Sequence, residues 1–166
     1  MCELNTNGTH KIVSGIAVTI SEKKVSADEF NYLTNKVGWG TRASHIVEEA
    51  LQNTLYSVSI YADNKIIGYG RMIGDKTIFL YIQDIMVIPE YQGKKIGTEI
   101  MNVLLDKINE YKQINSDIRT YLGASKGKEQ FYERFGFKAR ASVDLGEGMI
   151  LQNHYQCSDT NQNASN

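Results

Sequence analysis

The residues best suited to chemistry lie in one stretch, Ile82-Gln-Asp-Ile-Met-Val-Ile-Pro-Glu-Tyr-Gln-Gly-Lys-Lys-Ile-Gly-Thr98. Its first half reads as a buried strand ending at Pro89. A loop with two glycines and two lysines follows, and an amphipathic helix begins inside it. The first turn of a helix carries backbone N–H groups with no intrahelical acceptor, and the helix dipole favours negative charge there. Gly93 and Gly97 allow a ligand close to the backbone, and Lys94 and Lys95 add positive charge. That combination predicts a phosphate or pyrophosphate site. It is neither a Walker A loop, since GxxxxGK[ST] is absent, nor a dinucleotide fingerprint, since GxGxxG is absent. An ordinary strand–loop–helix junction with solvated lysines would share the composition.

The elements that must position this stretch are legible from periodicity. IAVTI within Gly15–Ile20 reads as a first strand. Ser26-Ala-Asp-Glu29 is a capping-box pattern, followed by Phe30, Leu33 and Val37 at helical spacing. Gly38-Trp39-Gly40 ends that helix, and Ser44 is expected to cap a second. The period then changes to two. Leu55–Ala62 and Lys65–Ile73 read as a hairpin about Asp63-Asn64, and Thr77–Ile88 as the next strand. Ile96–Tyr111 carries an apolar stripe of Ile96, Ile100, Val103, Leu104, Ile108 and Tyr111. A strand is expected at Ile118–Leu122, a helix at Lys126–Phe135, and strands at Phe137–Ala141 and Gly148–Gln152. Hairpin-linked strands feeding a strand–helix–strand crossover predict a mixed α/β sheet with helices on both faces.

Composition sets bounds. The 166 residues fit one domain, read as 12–156 between a loose tail at 1–11 and a polar tail at 157–166. A net charge of −1 removes the electrostatic argument for a nucleic-acid or anionic-membrane partner. The two cysteines, Cys2 and Cys157, sit in the tails, and no Cys/His cluster reads as a metal site. Met1–His10 lacks a basic-then-apolar leader pattern, and no apolar run approaches the roughly 18 residues of a membrane span, so a cytoplasmic protein is expected.

Val87-Ile-Pro-Glu-Tyr-Gln-Gly-Lys-Lys-Ile-Gly resembles the acetyl-CoA-binding signature [QR]-x-x-G-x-[GA] of the GNAT superfamily of N-acetyltransferases, with Gln92 and Gly97 at its first and last fixed positions. Phe131-Tyr-Glu-Arg-Phe-Gly-Phe137 resembles that family's [LF]-Y-x-x-x-G-F segment. The resemblance implies a mostly antiparallel central sheet with a V-shaped splay between its fourth and fifth strands, 82–88 and 118–122. The pantetheine arm of acetyl-CoA would pair with Ile85, Met86 and Val87, and the pyrophosphate would rest on the backbone of Gln92, Gly93, Lys94, Lys95, Ile96, Gly97 and Thr98. Lys95 stands where the family usually has glycine. We expect it to be helical, with its ammonium directed at a phosphate.

The resemblance further implies acetyl transfer from acetyl-CoA to a primary amine, most simply of a small molecule. The attack is expected to be direct in a ternary complex, because no cysteine is placed to carry the acetyl group. Tyr132 maps to the family's proton donor. Asp84 is an acid inside an apolar strand, and two readings stand side by side: a base near the acceptor, or a structural partner of Arg71 or of loop N–H groups. Trp39, Tyr81 and Arg71 are expected near the acceptor, although Trp39 could equally plug the core. Amino sugars, arylalkylamines, polyamines and peptide amines stay open, as does a homodimer. Rival readings are a protein-lysine or N-terminal acetyltransferase, and a non-catalytic acyl-CoA sensor.

Overall fold

The computed structural model describes residues 8–143 and 145–150. Cys2, Cys157 and the C-terminal tail lie outside them. The chain divides into two compact units, Met1–Gly123 and Ala124–Asn166.

The first unit is built on a six-stranded sheet in sequential order, β1 to β6. β1 (Thr9–Val13) pairs antiparallel with β2 (Ile16–Ser21). Ser14 and Gly15 between them both have positive φ (50° and 80°), as a tight two-residue hairpin turn requires. The first strand thus starts inside the stretch expected to be a loose tail. β1 is an edge strand with four of five residues exposed, so it shows no apolar alternation to read.

α1 (Ala27–Lys36) has the anticipated capping box: the Ser26 side chain accepts from Glu29 N–H, and the Glu29 carboxylate accepts from Ser26 N–H. α2 (Ser44–Gln52) starts differently from expectation. Ala43 is its N-cap, and Ser44 is the first helical residue with no capping side chain before it. β3 (Tyr56–Ala62) and β4 (Lys65–Gly74) form the expected hairpin, with Asp63 and Asn64 at φ 48° and 59°. β5 (Phe79–Val87) continues the antiparallel meander. α3 (Ile96–Lys112) then crosses over to β6 (Arg119–Leu122), which runs parallel to β5.

The two faces of the sheet are covered by different helices. A Cβ on Gly70 would lie 2.5 Å from Ile100 Cγ2 and 2.7 Å from Ile85 Cδ1, so this face of β4 is pressed against α3 and admits no side chain there. The next residue back, Tyr69, points to the other face and meets Phe30 of α1 edge-on at 5.9 Å. Ile96, Ile100, Met101, Leu104 and Ile108 of α3 are fully buried, each worth roughly 2 kcal/mol of apolar transfer. They anchor the helix whose first turn carries the candidate phosphate site.

The second unit holds α4 (Glu129–Glu133) and a 3-10 turn at Arg140–Val143. Phe131 packs edge-on against Tyr132 (5.0 Å) and Phe135 (5.3 Å), and Tyr132 against Phe137 (6.4 Å). The strand expected at Phe137–Ala141 is absent: 137–139 is irregular and the 3-10 turn follows. Residues 148–150 are not a strand either, and 151–152 lie outside the described residues.

Candidate active site

β5 has two unlike halves. Phe79 to Ile82 pair with Arg119 to Leu122 of β6, and the pairing stops there. From Gln83 to Val87 the edge away from β4 has no strand partner among the described residues. The sheet therefore opens between its fifth and sixth strands, the expected splay renumbered by the additional β1.

A bulge in β5 coincides with that opening. Arg71 pairs with Gln83 and Tyr69 with Met86, so Asp84 and Ile85 together oppose Gly70. Asp84 takes the left-handed conformation, φ 54°, as the first residue of one class of bulge does. Beyond it, Ile88 N–H donates to the Ile67 carbonyl at 3.0 Å. In an antiparallel pair, backbone groups alternate between the two edges. Met86 therefore faces β4, while the N–H and C=O of Ile85 and Val87 face the open edge. The Val87 carbonyl accepts from Gln92 Nε2 at 2.9 Å, which agrees. Of the three strand residues expected to meet a ligand, Ile85 and Val87 have outward backbone, and Met86 contributes a buried side chain.

The loop after β5 is short and open. Pro89–Tyr91 forms a 3-10 turn closed by Gln92 N–H on the Pro89 carbonyl (3.2 Å). Gly93 has φ 74°, and nothing lies within 4 Å of where a Cβ would be, so the space beside its backbone is free for a ligand. Lys94 Nζ sits 5.1 Å above the Tyr91 ring. Lys95 is the N-cap of α3 at φ 62°, ψ 8°, left-handed and not helical as the sequence suggests. The glycine preference at this position has a conformational origin, and lysine carries about 1–2 kcal/mol of strain there. The Lys95 side chain makes no capping bond, and the first intrahelical bond is Glu99 N–H to the Lys95 carbonyl (3.1 Å). The amides of Ile96, Gly97 and Thr98 are left without intrahelical acceptors.

On the opposite face, Arg71 Nε meets Asp84 Oδ2 at 2.6 Å, with the side chains only 14% and 12% exposed. Arg71 Nη1 also donates to the Ala50 carbonyl (3.0 Å) and Thr54 Oγ1 (3.1 Å). Of the two readings of Asp84, the ion pair with Arg71 is formed. Tyr69 is fully buried nearby, with Ser57 and Thr54 beside its hydroxyl. Burial pushes that phenol to about 12. Tyr81 is half-buried, and its hydroxyl lies 2.7 Å from where a Cβ on Gly123 would stand. Trp39 is 46% exposed between Gly38 and Gly40, both at positive φ, so it does not plug the core.

The family profile described as "Acetyltransferase (GNAT) domain" matches residues 19–155. The chain belongs to the GNAT family of acetyltransferases. A relative from Prochlorococcus marinus, "Uncharacterized N-acetyltransferase ycf52-like", is 33% identical over 113 residues, covering 66% of this chain and 61% of its own length. The chain thus spans about three fifths of that relative. Among solved structures, a Staphylococcus aureus "Probable Acetyltransferase" aligns at TM-score 0.73 and 25% identity, covering 82% of this chain and 99% of that one. Arabidopsis thaliana Naa50, in complex with a bisubstrate analogue, shares the fold at TM-score 0.60 and 18% identity, over 74% and 83%.

Within this GNAT fold, the second unit presents Tyr132 half-buried on α4, and burial raises its phenol above the ordinary value. Sequence reasoning found the loop and the acid in the strand. It missed the bulge, the Gln92 side chain's bond to Val87, and the polar contacts of Arg71 with Ala50 and Thr54. Lysine at a glycine position was the one signal that a left-handed residue stands before α3. Asp84, in contrast, gives no sequence sign of its backbone conformation.

Proposed function

We propose that the protein is an acetyl-CoA-dependent N-acetyltransferase acting on a primary amine of a small molecule by direct attack. The observation that carries this reading is the succession of two features along the chain: an open strand edge at Ile85 and Val87, and, after the open Gly93, a helix start whose Ile96 to Thr98 amides have no intrahelical acceptor. An extended amide-bearing arm can add to the first as a strand does, and a pyrophosphate suits the second. These groups fit acetyl-CoA, which supplies an acetyl thioester when bound.

The outward N–H of Ile85 or Val87 would donate to the thioester oxygen as it gains charge, a preorganised stabilisation that water cannot match. Lys94 and Lys95 would offset the diphosphate charge. Tyr132, assigned on its motif position, would donate a proton to the departing sulfur. With Oδ2 of Asp84 held by Arg71, we assign the amine proton to water rather than to that carboxylate. The Arabidopsis neighbour binds a bisubstrate analogue that joins CoA to an acetylated peptide, which supports the coenzyme and leaves peptide amines as a second acceptor class.

The test has two arms. Acetyl-CoA at a hundredfold excess over its Kd should stabilise the fold by about 2.7 kcal/mol. A panel of amino sugars, arylalkylamines, polyamines and short peptides, read by free thiol release, should give turnover with one small-molecule class. A melt unmoved by millimolar acetyl-CoA would reject the coenzyme site, and turnover confined to peptides would reject the acceptor class.

A further inference from the structure

The bulge in β5 decides which amides face the open edge. With regular pairing, Arg71 opposite Gln83 would be followed by Tyr69 opposite Ile85. The structure instead pairs Tyr69 with Met86. One inserted residue shifts the phase of everything beyond it, because backbone and side chains alternate with a period of two. Ile85 and Val87 present their N–H groups outward only because Asp84 absorbs the extra residue in a left-handed turn.

That turn has a cost and a holder. A non-glycine residue at φ 54° is strained, although Asp tolerates it better than most. Its carboxylate is drawn back across the β4–β5 pair to Arg71 Nε at 2.6 Å. Arg71 is itself tied to α2 through the Ala50 carbonyl and to Thr54 beyond it, and stands 5.9 Å from the Phe30 ring of α1. Both Nε and Nη1 of the guanidinium are therefore engaged within the protein. The arrangement joins the bulge to the helices on the face opposite α3.

We propose that Arg71 is a positioning residue: by clamping Asp84 in its left-handed conformation it fixes the bulge, and through it the outward amides of Ile85 and Val87 that receive the acetyl-pantetheine arm. The inference rests on the proposed coenzyme site and adds to it a determinant outside that site. The pyrophosphate loop begins after Pro89 and does not depend on the clamp, so the two halves of the coenzyme should respond differently.

The experiment measures acetyl-CoA and ADP binding by calorimetry in wild type, Arg71→Met, Asp84→Asn and the double variant Arg71→Met/Asp84→Gly. Arg71→Met should weaken acetyl-CoA by about tenfold or more and leave ADP, which probes only the loop, within about twofold. Asp84→Asn keeps an acceptor oxygen and a residue that tolerates positive φ, and should stay within about threefold of wild type. The double variant removes the buried charge and supplies glycine, which takes the turn unaided, so acetyl-CoA affinity should return to within about threefold. Should Arg71→Met alone fail to fold, the double variant carries the test. A folded Arg71→Met with unchanged acetyl-CoA affinity, an equal loss of ADP, or a folded double variant that fails to recover would each overturn the clamp. A wild type that binds no acetyl-CoA would instead reject the coenzyme site itself.

Discussion

Gln92 Nε2 donates to the backbone carbonyl of Val87 at 2.9 Å, tying the start of the loop to the last residue of β5. The first residue of the GNAT signature thus spends its side chain on the strand. Gln92→Met keeps the length and removes the donor. One neutral hydrogen bond is worth about 1 kcal/mol, so acetyl-CoA affinity should fall roughly fivefold. Gln92→Glu should lose more, because its carboxylate both lacks the donor and repels the Val87 carbonyl oxygen and an anionic diphosphate. Calorimetry with acetyl-CoA checks both. Wild-type affinity in Gln92→Glu would show that the side chain does not position the loop.

Lys95 trades conformation against charge. Replacing it with glycine relieves about 1–2 kcal/mol of left-handed strain and adds roughly 0.5–1 kcal/mol of backbone entropy to the unfolded chain. Lys95→Gly should therefore raise the Tm slightly in the absence of ligand. Coenzyme affinity should fall modestly, by less than about tenfold, and the difference from wild type should shrink at high salt, because the lost ammonium is exposed and screened. A lower Tm in Lys95→Gly would mean that the left-handed conformation carries no strain.

Lys95 also marks the limit of what this sequence discloses. The loop, its glycines and the long amphipathic α3 were legible because each follows from local chemistry: turn residues for the loop and an apolar period for the helix. The capping box at Ser26 and Glu29 formed as written. β1 was not legible, since Thr9–Val13 is an exposed edge strand with no buried face to impose alternation. Nor was the bulge, because the sequence IQDIMVI is equally a regular strand. Its phase is set by pairing with β4 and by Arg71, thirteen residues away. Local rules fail where the cause is tertiary; the segment expected as a strand at 137–141 holds only Phe137 as a strand-favouring residue, and it is irregular at 137–139 before the 3-10 turn that starts at Arg140.

Asp75 gives a pH-dependent prediction. Its carboxylate accepts from the N–H groups of Ile78 (2.7 Å), Phe79 (3.0 Å) and Thr77 (2.8 Å), and these bonds hold its pKa down to about 2. An acid with a depressed folded pKa contributes stability above its unfolded pKa of about 3.9 and loses it as pH falls toward the folded value. Asp75→Asn keeps one acceptor oxygen and does not titrate. Wild type should thus lose stability relative to Asp75→Asn between about pH 4 and pH 2. Denaturant melts at pH 5, 4 and 3 test this. A constant difference between the two proteins across that range would remove the turn before β5 from the acid response.

Tyr132 carries the proposed proton donation. Removing only the hydroxyl, as in Tyr132→Phe, leaves the ring against Phe131 and Phe137. A general acid contributes about 10²–10⁴-fold, and a coenzyme thiol is a fair leaving group, so a loss near the low end is expected in kcat. Burial raises the phenol above its ordinary value, which keeps it protonated and able to donate further into the alkaline range. The rate should accordingly hold up further into the alkaline range in wild type than an ordinary phenol would allow, and that limb should vanish in the variant. Acetyl-CoA affinity should not change. A tyrosine that merely packs predicts the reverse pattern, with about 1 kcal/mol lost in stability and normal turnover. Measuring the Tm and the pH–rate profile on the same samples separates the two, and wild-type turnover in Tyr132→Phe from pH 7 to 10 would reject the acid while leaving the coenzyme site intact.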